Sequence, residues 1–81
     1  MPGTTPLTYF DGRHIRVRDL VIATLPDGRA VVGRTMRLKV GRRHVRVAFY
    51  DPIYRRRDGQ KCTIRRLCLF YRDLQPFPLA A

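Results

Sequence analysis

The residues of this sequence best suited to binding a ligand are the positively charged ones, and they concentrate in two regions. Residues 34–46 contain no acid, and residues 55–66 include three consecutive arginines. Arginine presents a planar fork of N–H donors that matches phosphate oxygens and the edge of guanine. The predicted nucleic-acid-binding residues are Arg34, Arg37, Lys39, Arg42, Arg43, His44, Arg46, Arg55, Arg56, Arg57, Lys61, Arg65 and Arg66. Tyr50 and Tyr54 are candidates for stacking on bases.

The overall charge favours the same kind of partner. The 81 residues include 17 Lys and Arg against 6 acids, which gives a formal net charge of +11. Such an excess attracts polyanions by steering and by counterion release, so nucleic acid, either DNA or RNA, is the expected partner. Two alternatives stay open. The first is that the charge only keeps a strand face solvated. The second is that the charge docks the protein on an acidic protein partner, as in a small regulator or inhibitor.

Residues that usually carry catalysis or bind metal are missing or poorly spaced. The sequence has no Ser, no Glu and no G-x-x-x-x-G-K phosphate loop. Cys62 and Cys68 lie outside the C-x-x-C pattern, and His14 and His44 do not complete a zinc set with them. We therefore expect no enzymatic activity, no metal and no cofactor. Both cysteines are expected to be reduced and to pack as small apolar residues, which favours a cytoplasmic location.

Alternating apolar and polar residues predict β-strands as the elements that position the basic side chains. In residues 44–50, Val45, Val47 and Phe49 are expected to face inward, whereas His44, Arg46 and Tyr50 face outward. Residues 29–40 should form the preceding strand, with Arg37 and Lys39 on its outer side and a bulge or sharp bend at Gly33. The expected inner positions of that strand are Ala30, Val32, Met36, Leu38 and Val40.

The remaining pattern extends this all-β prediction. A first strand is expected within residues 14–25, a fourth at 63–70, and a short last strand at 75–77 after one turn of 3₁₀ helix. Turns are predicted at residues 26–28 and 41–43. No apolar run reaches the roughly 18 residues that a transmembrane helix needs, so no membrane span is expected. The length allows one domain, as a monomer or a small homo-oligomer.

The order of these elements resembles the Src-homology-3-like small barrels, and among them the Tudor modules. Residues 18–23 are similar to the opening strand of a Tudor barrel, residues 27–34 to its first turn and second strand, 45–51 to its third strand, and 73–77 to its closing turn. The resemblance implies a five-stranded Tudor-like barrel over residues 13–78, between an extended N-terminal arm (1–12) and a C-terminal tail (79–81). A second resemblance, carried by Val21, Leu25, residues 27–29 and Gly33, is to the Sm-like RNA-binding barrels.

Overall fold

The computed structural model describes residues 6–53, 58–59 and 64–78. Its regular elements are five strands and two short 3₁₀ turns. The strands are β1 (Leu20–Thr24), β2 (Ala30–Lys39), β3 (His44–Tyr50), β4 (Ile64–Phe70) and β5 (Leu74–Pro76), and the 3₁₀ turns are Val40–Arg42 and Tyr71–Asp73. The all-β class and the 3₁₀ turn before the last strand are therefore confirmed.

The five strands form one antiparallel sheet in the order β4-β3-β2-β1-β5. Strands β1 to β4 follow one another as a meander, and β5 returns to pair with β1, where Val21 lies opposite Pro76. Over the described residues the sheet is not closed, because β4 and β5 are its two edges and do not pair with each other. The described strands therefore form an open, five-stranded antiparallel sheet.

The hydrophobic core lies on one face of this sheet. Along β3 the alternation is strict, and Val45, Val47 and Phe49 are buried as predicted. Two core residues, Leu7 and Tyr9, come from the stretch that was expected to be an extended arm. Among the described residues, the core cluster consists of Leu7, Tyr9, Ile15, Val21, Ala23, Leu25, Val45, Val47, Phe49, Leu69 and Leu74.

The first strand is shorter than predicted. It begins at Leu20, and His14 makes only an isolated bridge with Thr8. Arg18 has a φ of 72°, in the left-handed region, and this conformation interrupts the extended backbone before β1. The chain from His14 to Arg18 is therefore a turn-containing segment that leads into the sheet.

The buried side chain of Thr35 on β2 holds this segment in place. Its hydroxyl donates a hydrogen bond to the carbonyl of Arg16 and accepts one from the backbone N–H of Asp19 at 2.9 Å. The backbone of Thr35 also bonds to this segment, accepting from the N–H of Arg18 at 2.8 Å and donating to the carbonyl of Asp19 at 2.9 Å. A buried hydroxyl needs such partners, because an unsatisfied one costs about 1–3 kcal/mol.

Strand β2 changes its inner positions part-way along, which the sequence prediction missed. A register irregularity lies between Thr35 and Arg37, so the inward positions are odd-numbered before it and even-numbered after it, where Leu38 pairs with the buried Val45. The prediction of an inward-facing side was wrong for the following residues, which are exposed: Ala30, Val32 and Met36. A β-bulge shifts the alternation in this way because one residue is left unpaired.

Gly33 marks a close approach between β2 and β3, two residues before this irregularity. A Cβ atom built at Gly33 would lie 2.6 Å from the backbone oxygen of Ala48 and 2.7 Å from a methyl carbon of Val47. Only a residue without a Cβ fits at such a distance. Gly33 is therefore required by the tight packing of β2 on β3, and the bulge itself lies between Thr35 and Arg37.

Candidate nucleic-acid interface

The outer face of β2, β3 and β4 collects basic side chains from three strands. Residues directly opposite each other in an antiparallel sheet share a face, and Arg37 lies opposite Arg46 while Lys39 lies opposite His44. Ala48 lies between Arg34 on β2 and Arg66 on β4. We call the resulting set the outer basic face: Arg34, Arg37, Lys39, Arg46 and Arg66.

The charge on this face is unbalanced. No acidic residue occurs anywhere in β2, β3 or β4. Facing positions lie about 5 Å apart across strands, and alternate residues lie about 7 Å apart along a strand. Like charges held this close repel one another, and a bound polyanion relieves that repulsion. His44, which is half-buried, lies within the same face.

Arg42 and Arg43 extend the basic region to the tip of the β2–β3 hairpin. The 3₁₀ turn Val40–Arg42 reverses the chain, and Arg43 follows it with a φ of 57°. The backbone N–H of Arg43 donates to the carbonyl of Val40 at 3.1 Å. Both arginine side chains are exposed at this tip.

Arg65 differs from the other predicted binding residues in this part of the chain. It lies on the inner side of β4, opposite Phe49, and its Nη1 lies 3.4 Å from Oδ2 of the fully buried Asp51. Arg66, its neighbour in sequence, is exposed on the outer side. The fold therefore assigns the two adjacent arginines to different surroundings.

Asp51 is the centre of an internal ion-pair network. Arg29 donates two hydrogen bonds to its carboxylate, at 3.1 and 3.0 Å, and the backbone N–H of Ile53 donates a third at 3.3 Å. The side-chain hydrogen bond from Arg29 holds the pKa of Asp51 below its ordinary value. Arg29 also bonds to Asp27, so its charge is neutralised within the fold. Sequence reasoning missed this network, although Asp51 directly follows the end of β3.

A second carboxylate contact, made by the half-buried Asp19, joins the N-terminal segment to the sheet. The Tyr9 hydroxyl donates to Asp19 at 2.7 Å, and burial together with this bond raises the pKa of Tyr9. An open cleft of about 440 Å³ lies beside the pair, and it also contacts Arg13 and Arg16. Arg13 is paired with Asp11 at 2.7 Å. This region carries both signs of charge, in contrast to the outer basic face.

Aromatic residues stand at two places on the outer side of the sheet. Tyr50, a predicted stacking residue, is 56% exposed at the end of β3. Phe70, which sequence reasoning did not select, is 41% exposed at the end of β4, opposite His44. The alternation of β4 could have identified it, since Arg66, Cys68 and Phe70 share one side of that strand.

Several predicted features lie outside the described residues. They are Tyr54, Arg55, Arg56, Arg57, Lys61 and Cys62. Cys68 is described, and the expectation that it packs as a buried apolar residue is wrong, because it is exposed and free on the outer side of β4. Among the described residues, no group of His, Cys, Asp or Glu could hold a metal ion. The described part of the chain also contains no helix long and apolar enough to cross a membrane.

No protein-family model matches this chain, and comparisons with curated proteins and with solved structures find no significant match.

Proposed function

We propose that this protein binds nucleic acid through its outer basic face and catalyses no reaction. The observation that carries the proposal is the gathering of Arg34, Arg37, Lys39, Arg46 and Arg66 on one side of three strands that contain no acid. A face of this kind suits the phosphate backbone, which is a regular row of negative charges.

The size of the expected electrostatic effect follows from the number of cations. Each duplex phosphate contact contributes about 0.9 to the slope of log K against log salt. Full engagement of the outer basic face would thus give a slope of about −4.5, and affinity would fall by about 500-fold between 50 and 200 mM salt. Contacts to phosphate carry little sequence information, so the sequence preference is weak.

The carboxylates of Asp51, which is buried, and of Asp19, which is half-buried, support a non-catalytic role. Asp51 already accepts bonds from two arginines and a backbone N–H, and Asp19 accepts from Tyr9 and from the backbone of Arg16. Carboxylates that are satisfied in this way hold the fold together and are poorly placed to exchange protons with a substrate. The free, exposed Cys68 fits a reducing, cytoplasmic location, which belongs to the same proposal.

We also infer that the sheet is a partly open Src-homology-3-like barrel of the Tudor type. Three observations support this: the meander of β1 to β4, the 3₁₀ turn Tyr71–Asp73 before β5, and the return of β5 to β1. Small barrels of this type host many unrelated activities, so the fold alone does not name the ligand.

Two matched charge-removal variants test the function. One variant replaces Arg37 and Arg46 of the outer basic face with Gln. The other replaces Arg13 and Arg16 with Gln; both are exposed and line the open cleft of about 440 Å³ beside Asp19. Both remove two positive charges. Fluorescence anisotropy of nuclease-treated protein should show a clear loss of affinity for the first variant and little change for the second. An equal loss of affinity in the two variants would show that binding depends only on net charge, and it would refute the outer basic face as the binding site.

A second candidate function is docking on an acidic protein. A cleft of about 540 Å³ is lined by Val17, Arg18, Arg34, Thr35 and Met36, so exposed apolar side chains stand beside two guanidinium groups. This arrangement suits an apolar side chain flanked by carboxylates. A stoichiometric partner that survives nuclease treatment and is lost with Met36→Asp would favour this function over nucleic-acid binding.

A further inference from the structure

Three aromatic rings and one guanidinium lie together where β3, β4 and the second 3₁₀ turn meet. We call this group the aromatic corner: His44, Phe70, Tyr71 and Arg72. The rings of His44 and Phe70 meet edge to face, with centroids 6.5 Å apart at 83°, and those of Phe70 and Tyr71 are 5.0 Å apart. The guanidinium carbon of Arg72 is 5.1 Å from the centre of the Tyr71 ring. The corner is therefore a contiguous cluster of rings, in which Phe70 is exposed while His44 and Tyr71 are half-buried.

The aromatic corner adjoins the outer basic face. His44 lies opposite Lys39 on one side and opposite Phe70 on the other, so these three residues form one row across the sheet. Phe70 keeps 41% of its surface accessible although it contacts two other rings. An exposed ring beside a phosphate-binding surface is the arrangement used for stacking on unpaired bases.

A small cleft completes this arrangement on the other side of Tyr71. It has a volume of about 200 Å³, and none of the residues that line it is acidic. The lining residues are Pro6, Leu7, Thr8, Arg43, Tyr71 and Arg72. Arg43 and Arg72 thus place two guanidinium groups beside an aromatic ring, where one phosphate could bind with both.

We propose that the aromatic corner binds an unpaired nucleotide, and hence that the ligand of the outer basic face is single-stranded nucleic acid. One base stacks on Phe70, and a neighbouring phosphate binds Arg43 and Arg72 in the cleft. A duplex keeps its bases stacked on each other, so it gains nothing from an exposed ring, whereas every base of a single strand has a free face. This inference depends on the proposed function.

The test replaces Phe70 with Leu and, separately, with Trp. Because the sequence contains no tryptophan, Phe70→Trp introduces a single tryptophan at the stacking position, whose emission can be excited selectively over that of the four tyrosines. The probe is a thymidine oligonucleotide of about 12 nucleotides, within the range that small binding domains cover, with a duplex of equal length as comparison. Val32→Ala, which alters an exposed apolar residue elsewhere on the sheet, is the matched control.

We expect Phe70→Leu to raise Kd for the single strand about fivefold or more and to leave Kd for the duplex nearly unchanged. Phe70→Trp should retain affinity, and the single strand should quench its emission. The double variant Arg43→Gln with Arg72→Gln should lower the single-strand salt slope by about 0.7, because both arginines bind the same phosphate. Val32→Ala should have no such effects.

The outcomes separate this inference from the proposed function. If wild-type protein binds neither probe, the proposed function fails. If wild-type protein binds but Phe70→Leu weakens both probes equally, or the tryptophan emission does not change, the aromatic corner is refuted while the proposed function stands. Circular dichroism of each variant shows whether it folds, and the folded Phe70→Trp protein gives a result even where Phe70→Leu is unstable.

Discussion

Arg65 and Arg66 are adjacent in sequence, and the fold predicts opposite consequences when each is replaced by Gln. Arg65 contacts the buried Asp51 at 3.4 Å, whereas Arg66 is exposed opposite Ala48 on the outer basic face. Each substitution removes one positive charge and keeps a polar side chain of similar shape. The pair therefore separates a structural role from a binding role at equal net charge.

For Arg65→Gln we expect a loss of about 1 kcal/mol in the free energy of unfolding, because the two bonds from Arg29 to Asp51 remain. In a domain of this size that corresponds to a decrease in Tm of about 4–8 °C. Arg66→Gln should change stability by less than about 0.5 kcal/mol. It should instead lower the duplex salt slope by about 0.9, which Arg65→Gln should leave unchanged.

Thermal unfolding by circular dichroism and anisotropy titrations at a temperature well below both transitions measure the two effects. If Arg65→Gln weakens binding as much as Arg66→Gln does while its Tm is unchanged, the placement of Arg65 inside the fold is wrong. If neither variant alters the salt slope, Arg66 does not contact phosphate.

Three further predictions concern the elements that shape the interface. The Arg29 hydrogen bond lowers the folded-state pKa of Asp51 below its ordinary value of 3.8. The contribution of Asp51 to stability is therefore present above pH 3.8 and is lost as the pH falls through the folded-state pKa. When unfolding is measured as a function of pH, the free energy of unfolding should fall less steeply in acid for Asp51→Asn than for wild type. Gly33→Ala should cost about 1–3 kcal/mol because its Cβ would lie 2.6 Å from the Ala48 oxygen, and a Tm equal to that of wild type would contradict this. Thr35→Val should cost about 1–3 kcal/mol, because the backbone N–H of Asp19 would keep only its longer bond, at 3.3 Å, to the Arg16 carbonyl, which itself loses the hydroxyl donor; hydrogen exchange should be faster at the Asp19 amide.

The sequence predicted the strands well where the alternation was regular. β3 alternates without interruption, so the buried Val45 and Phe49 and the outward Arg46 could be predicted from parity alone. β2 could not be predicted in the same way, because a bulge shifts the alternation and its place depends on tertiary contacts of Thr35. Local sequence does not show which loop will bond to a buried hydroxyl.

The composition of the candidate site could be predicted better than its geometry. Counting charges identified the basic region but could not separate Arg65 from Arg66, since only the register of β4 against β3 shows which of them faces Asp51. Phe70 was missed for a related reason. Its significance comes from its neighbours across the sheet and in the next turn, His44 and Tyr71, and not from its position in the sequence.

Binding of wild-type protein to nucleic acid as a function of salt tests the central claim most directly. Nuclease-treated protein is titrated by fluorescence anisotropy against duplex DNA, single-stranded DNA and structured RNA, each at several salt concentrations. The outer basic face predicts micromolar or tighter binding near physiological salt, a steep salt slope, and a preference for one polymer. Equally weak binding to all three polymers that disappears with a modest increase in salt would contradict the claim and direct attention to an acidic protein partner.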